Sequence, residues 1–300
     1  MLGRMLRWVL LSLLGVVMSL SMTAQSKAQT GGLHHVTFQT DIAYYEGQGF
    51  NPDRHVLDVY QPVNASNAPV LIFVHGGGWA SGNKSLYGFI GRTFAEQGYV
   101  TVIPNYRLSP AVQHPAHIRD VARAYAWTVN NIAQYGGDPS RIVLSGHSAG
   151  GHLVSLLAVN ERYLAEQNLD ESSIRGVIGI SGVYDVTAIP PNIISSQVFT
   201  SDPEVQRDAS PIAHIDAHEP PFLLLYAQLD IPRLDTLAER FHQSLMAHGN
   251  TSTLQEIRGL RTHSTIVLQI GNRGDPTTVA MLDFLETHTQ QPQTIGSGSE

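Results

Sequence analysis

The sequence predicts an α/β fold, a mostly parallel sheet with helices on both faces and at most a small cap. Three observations carry that prediction. Apolar runs of strand length alternate with amphipathic runs of helix length between residues 55 and 288. Most strand runs are apolar at successive positions, the pattern of strands covered on both faces. The chain has 300 residues, 42% of them hydrophobic, and no internal repeat, which suits one large core.

Residues 55–62 alternate as a strand and end at Pro62. Residues 68–79, "APVLIFVHGGGW", are a buried strand running into a glycine cluster. Helical spacing over residues 85–98 stops at Gly98, and residues 99–107 form another apolar strand. Residues 118–139 read as a long amphipathic helix closed by Gly-Gly-Asp-Pro, followed by a strand over 141–145 and a helix over 149–160. The alternation continues with strands at 174–185 and 220–230, a helix at 234–249, a strand at 252–259 and a helix at 276–288. Residues 186–219, rich in Pro, Ser and Asp, are too long for a simple connection and are expected to form a small cap. The catalytic domain is expected to span residues 29–290, with the polar residues 291–300 a disordered tail.

The first 28 residues have signal-peptide anatomy: Arg4 and Arg7, then an apolar stretch from Trp8 to Leu20, then small residues. Cleavage is expected after Ala28, with Ala24 a second candidate and an uncleaved membrane anchor the alternative. A secreted or periplasmic location follows, with no stable membrane span after processing. The formal charge of −7 becomes −10 once Arg4, Arg7 and Lys27 leave with the leader, which argues against nucleic acid or an anionic membrane as partner. The chain has no cysteine, hence no disulfide framework, and a core of this size does not need one.

The stretch "RIVLSGHSAGGHL" sets Ser148 between a strand and a helix, with Gly146 and Gly150 two residues away on either side. Gly-x-Ser-x-Gly in that position is a nucleophile elbow, a bend so sharp that side chains two residues away would collide. The bend lifts the serine oxygen above the sheet edge and leaves the Ala149 amide at a helix N-terminus, where a negative oxygen can form. A second glycine cluster, His75-Gly76-Gly77-Gly78, follows an earlier strand and can turn its amides inward. A phosphate-binding loop is the competing reading of those glycines, but no Lys-Ser/Thr pair follows in P-loop spacing.

A serine hydroxyl needs a base, and the base needs an acid to orient it. Asp230 ends one strand and His263 lies just past the next, both where loops converge at strand carboxyl ends. Asp185, at the end of the preceding strand, is the rival acid; Asp235 reads as a helix N-cap. His242 and His248 read as surface residues, His152 as a packed helix residue, and His147 as shaping the pocket. Fourteen histidines invite a metal hypothesis, but Pro115 undercuts a helical face in "HPAH" (His114, His117), and neither it nor "HIDAH" (His214, His218) comes with a clear carboxylate or cysteine set, so no metal and no organic cofactor is expected.

The run "VHGGGWASGNKSLYGFIGRTFAEQGYVTVIPNYRLSP" together with "GGDPSRIVLSGHSAGGHL" resembles the α/β-hydrolase superfamily. Within it the chain is similar to esterases with His-Gly-Gly-Gly oxyanion loops: the isoprenylcysteine methylesterase and kynurenine formamidase group, and the hormone-sensitive-lipase-like carboxylesterases. The resemblance implies Ser148 as nucleophile, Asp230 and His263 as its partners, Gly77, Gly78 and Ala149 as amide donors to an oxyanion, and His75 as a brace for the glycine loop. It implies a serine carboxylesterase acting through an acyl-enzyme on small-molecule or polymer-attached esters of short acyl groups. Two departures stand out: the short segment before the first strand, where lipase-like relatives carry a longer cap, and Ala227, where the strand leading to the acid often has glycine. The alternatives are an amidase or arylformamidase using the same residues, and a non-catalytic binding protein on the same fold.

Overall fold

The computed structural model describes residues 32–189 and 193–290. The expected leader (1–28) and tail (291–300) lie outside the described residues. Among the described residues no helix is long and apolar enough to cross a membrane.

The chain opens with strand β1 (Val36–Ala43), which pairs antiparallel with β2 (Val56–Pro62). β1 has no counterpart in the sequence expectation because it is an edge strand with most side chains in solvent, so it carries no apolar run. Strand β3 (Ala68–Val74) leads into the glycine loop, a short 3-10 turn and helix α1 (Gly88–Glu96). Strand β4 (Val100–Pro104) and helix α2 (Ala116–Asn131) follow. α2 ends earlier than its amphipathic pattern: a 3-10 turn closes it, Gly136 takes a left-handed conformation (φ 78°), and strand β5 (Gly137–His147) already begins at Gly137. A Cβ on Gly136 would sit 2.2 Å from the Ala65 carbonyl oxygen, which fixes glycine at that exit.

Helix α3 (Ala149–Val159) leaves the elbow directly, and the single turn α4 (Arg162–Ala165) leads on to strand β6 (Ile174–Ile180). β6 stops five residues short of Asp185, because the chain turns at Ser181 (φ 48°). The expected cap is a string of short helices, including α5 (Ile193–Phe199) and α6 (Pro203–Asp208), seated through the buried residues Val198, Phe199 and Ala209. Strand β7 (Phe222–Leu229), helix α7 (Leu234–Ala247), strand β8 (Ser252–Thr262), the turn α8 (Thr265–Leu268) and helix α9 (Pro276–His288) complete the order.

The eight strands form one sheet in the order β1-β2-β4-β3-β5-β6-β7-β8. β2 is antiparallel to both neighbours, and every pair from β4 to β8 is parallel. Alternation along β3 sorts the core into two layers. Val70, Ile72 and Val74 face α2, α3 and α7, while Leu71 and Phe73 face α1, α8 and α9. The register pairs Val74 with Gly146 and His147 with Ile180, so the glycine loop, the elbow and the β6 turn leave the sheet side by side.

Candidate active site

Ser148 occupies a backbone conformation that L-residues rarely adopt, φ 55° and ψ −118°. Close packing of backbone on backbone holds it there. A Cβ on Gly146 would lie 2.4 Å from the Gly150 carbonyl, and one on Gly150 only 2.1 Å from the Val74 oxygen. The bend is also tied to β6, since the Ser148 amide donates to the Ile180 carbonyl at 2.8 Å.

His263 meets the serine from the end of β8. Its Nε2 lies 2.9 Å from Ser148 Oγ and its Nδ1 2.7 Å from Asp230 Oδ1. Ionised Asp230 only accepts, so His263 carries its proton on Nδ1 and turns the Nε2 lone pair to the serine hydroxyl. The Asp230 side chain is 3% exposed and the His263 side chain 18%. The other Asp230 oxygen accepts from the Ser181 hydroxyl at 2.5 Å and the Ala227 amide at 3.0 Å, while Oδ1 also accepts from the Ile231 amide at 2.8 Å. Burial pushes the carboxyl pKa up, but hydrogen bonds from His263, Ser181 and Ala227 outweigh it and hold the group below the ordinary carboxylate value.

The rival acid falls away on geometry. Asp185 lies beyond the β6 turn, where its carboxylate accepts from the Thr187 amide and caps a 3-10 turn. Asp235 is not the N-cap of α7, whose cap position is Arg233; it sits in the first turn and accepts from the Thr236 amide. His242 is half-buried against the Ser252 hydroxyl and His248 is exposed.

The glycine loop lies against the elbow. Gly77 (φ 123°) and Gly78 (φ 59°) both take backbone angles that favour glycine, and a Cβ on Gly77 would sit 2.3 Å from the Ser81 carbonyl oxygen. The Gly77 carbonyl is held by the Ser81 amide and hydroxyl, at 2.9 and 2.8 Å. Among the described residues the Gly77 and Gly78 amides donate to no protein acceptor. His75 braces the loop: it is buried, stacks on Tyr106 at 4.4 Å, and donates from Nδ1 to the Gly76 carbonyl at 2.7 Å. Burial lowers its pKa to about 4, so the ring is neutral.

Two further histidines flank the serine. His147 donates from Nε2 to the His263 carbonyl at 2.8 Å, and its ring lies 4.7 Å from the His263 ring. A Cβ on Gly76 would come 2.9 Å from His147 Nδ1, so this imidazole fills the space between the glycine loop and the His263 loop. His152 accepts from the Trp79 indole at 3.1 Å and donates to the Ala209 carbonyl at 2.7 Å, joining the glycine loop, α3 and the cap. Burial lowers the pKa of His147 to about 4 and of His152 to about 3. Of the remaining histidines, His114 lies against Asp208, His117 against Ser109, and His214 against the Asp208 carbonyl.

Sequence reasoning missed Ser181 and the backbone amides that hold Asp230. No signal marked Ser181, because the sequence pattern runs the strand on to Asp185 and hides the turn at Ser181.

Residues 57–233 match the family model described as BD-FAE. The chain belongs to the BD-FAE family. The matched stretch contains the glycine loop, the elbow and Asp230, and stops before His263. Among curated relatives, the esterase LipC of Mycobacterium tuberculosis is 33% identical over 258 residues, covering 79% of this chain and 64% of LipC. A probable isoprenylcysteine alpha-carbonyl methylesterase of Arabidopsis thaliana is 28% identical, covering 74% of this chain and 51% of that protein. The chain thus spans between half and two thirds of these relatives. Esterase B of Lactobacillus rhamnosis superposes with a TM-score of 0.72 at 22% identity, covering 85% of this chain and 86% of that one. With the sheet order above, this likeness establishes the α/β-hydrolase fold for this BD-FAE chain.

Proposed function

We propose that this BD-FAE chain is an exported serine carboxylesterase that cleaves esters of short acyl groups through an acyl-enzyme. The observation that carries the reading is the run Ser148–His263–Asp230, joined at 2.9 and 2.7 Å at the carboxyl edge of the sheet. Esterase relatives support it.

In this reading Ser148 Oγ attacks the ester carbonyl as His263 Nε2 takes its proton. Asp230, held ionised by its own donors, stabilises the imidazolium. Negative charge on the carbonyl oxygen is met by the amides of Gly77, Gly78 and Ala149. The tetrahedral species collapses as His263 protonates the leaving alcohol, and water attacks the acyl-enzyme by the same route.

The short-acyl preference rests on the cap, where Phe199 packs edge-to-face on Trp79 at 4.8 Å, beside the glycine loop. Export rests on the leader sequence alone. Hydrolysis of p-nitrophenyl esters of rising chain length, with Ser148→Ala alongside, tests the reading. Turnover on acetyl and butyryl esters, reduced about 10⁶-fold by the substitution, is expected. Preference for long chains removes the acyl assignment, and turnover that survives in Ser148→Ala removes the mechanism.

A further inference from the structure

A cleft of about 380 Å³ runs beside the first two turns of α7. Arg233, Arg240, Thr187 and Thr236 line it with Ile189 and Leu237, and among the described residues no carboxylate does. Topology places it at the catalytic edge of the sheet, because α7 starts where β7 ends and residues 187–189 follow the β6 turn. Arg233 lies three residues after Asp230, a separation that spans at most about 10 Å.

Arg233 is an unexpected residue for its position. It holds the N-cap of a 14-residue helix without a side-chain cap hydrogen bond, where Ser, Thr, Asp or Asn is favoured. It also sits in the left-handed region (φ 82°), where Gly or Asn is favoured. Neither preference accounts for an arginine at this position. Nη1 donates to the Ala188 carbonyl at 3.1 Å, which ties the guanidinium to the other segment that lines the cleft. Among the described residues neither Arg233 nor Arg240 has a carboxylate partner. The acids nearby are engaged: Asp185 accepts from the Thr187 amide and hydroxyl, and Asp235 from the Thr236 amide. Two guanidiniums without a carboxylate partner in one concave site, on a chain of charge −7, make a fork for a planar anion.

We propose that this cleft is a subsite for a carboxylate on the ester substrate, remote from the bond that is cleaved; the proposal rests on the esterase reading above. Binding there anchors an acidic substrate, such as a uronic-acid-bearing or dicarboxylic ester, and orients its ester toward Ser148.

The test uses two short-chain phenolic esters, identical except for a remote carboxylate in one and a carboxamide in the other. The wild type is expected to favour the carboxylate ester by about tenfold in kcat/KM, mostly through KM, with added salt lowering the ratio. Arg240→Gln and Arg233→Asn are each expected to bring the ratio toward one. Arg233→Asn suits both the backbone angle and the cap position, so its folding is secure. Equal rates on the two esters, or a ratio that both variants leave unchanged, overturns the subsite while Ser148-dependent hydrolysis of the carboxamide ester leaves the esterase reading standing. No hydrolysis of either ester removes both.

Discussion

On one side of Ser148 the His263 imidazole, the Asp230 carboxylate and the Ser181 hydroxyl form an unbroken run of hydrogen bonds. On the other, the Gly77 and Gly78 amides have no partner among the described residues. In the proposed reaction the satisfied side moves a proton, so each group needs a neighbour that fixes its tautomer and charge. In the same proposal the Gly77 and Gly78 amides await a charge that exists only during reaction, so they are better left unpaired than spent on internal bonds. The two sides also use histidine differently. His263 is 18% exposed and faces the serine, whereas His75, His147 and His152 are buried, neutral and structural.

The largest effect expected from breaking this contrast is on the proton-moving side. Asp230→Asn keeps the shape but favours the wrong His263 tautomer, and kcat should fall about 10⁴-fold. Asp185→Asn, which touches only a turn cap, should leave kcat unchanged, and a large loss there would return the acid role to Asp185. On the waiting side, Gly77→Ala drives a Cβ to 2.3 Å from the Ser81 carbonyl oxygen and must turn the loop. A loss of about 10²- to 10³-fold in kcat, with KM little changed, is the signature of a displaced oxyanion donor. Equal loss in binding and turnover would mean that the loop holds substrate instead.

The neutral histidines sharpen the comparison through pH. Burial holds each at a folded-state pKa of about 3 to 4, against 6.5 for an ordinary histidine. Between those values the unfolded chain takes up protons that the folded one refuses, so stability rises with pH and is fully present above 6.5. As pH falls below that value, each histidine can remove up to about 1.4 kcal/mol per pH unit. Urea midpoints should therefore drop from neutral pH to about pH 5. His152→Leu removes one of these groups but leaves the Trp79 indole and the Ala209 carbonyl unpaired, costing about 1–3 kcal/mol at neutral pH while flattening the acid slope. The smallest effect is Ser181→Ala: Asp230 loses one of several donors, and kcat should fall by about tenfold, with the Asp230 pKa rising toward the ordinary value.

Much of this was legible in the chain because local signals coincided with global ones. The elbow could be read because Gly146 and Gly150 answer a clash two residues away in sequence, which is also a clash in space. The order Ser148, Asp230, His263 could be read because each lies at the carboxyl end of a strand. Features set by tertiary contact left no such trace. Ser181 reaches Asp230 across 49 residues and His147 reaches the His263 carbonyl across 116, and neither spacing carries a pattern. β1 leaves no trace because an exposed edge strand has no apolar run, and the expected strand outruns β6 because an apolar pattern continues past the point where the backbone turns. The early end of α2 has the same cause: amphipathic spacing persists into a 3-10 turn that Gly136 terminates.

The most direct test of the central claim is covalent trapping at Ser148. A fluorophosphonate, which labels an activated serine, should add once per chain, and peptide mapping should place the adduct on Ser148. His263→Ala should label far more slowly, and Ser148→Ala not at all. An adduct on another residue, or undiminished labelling without His263, would contradict a nucleophile activated by the Ser148–His263–Asp230 run.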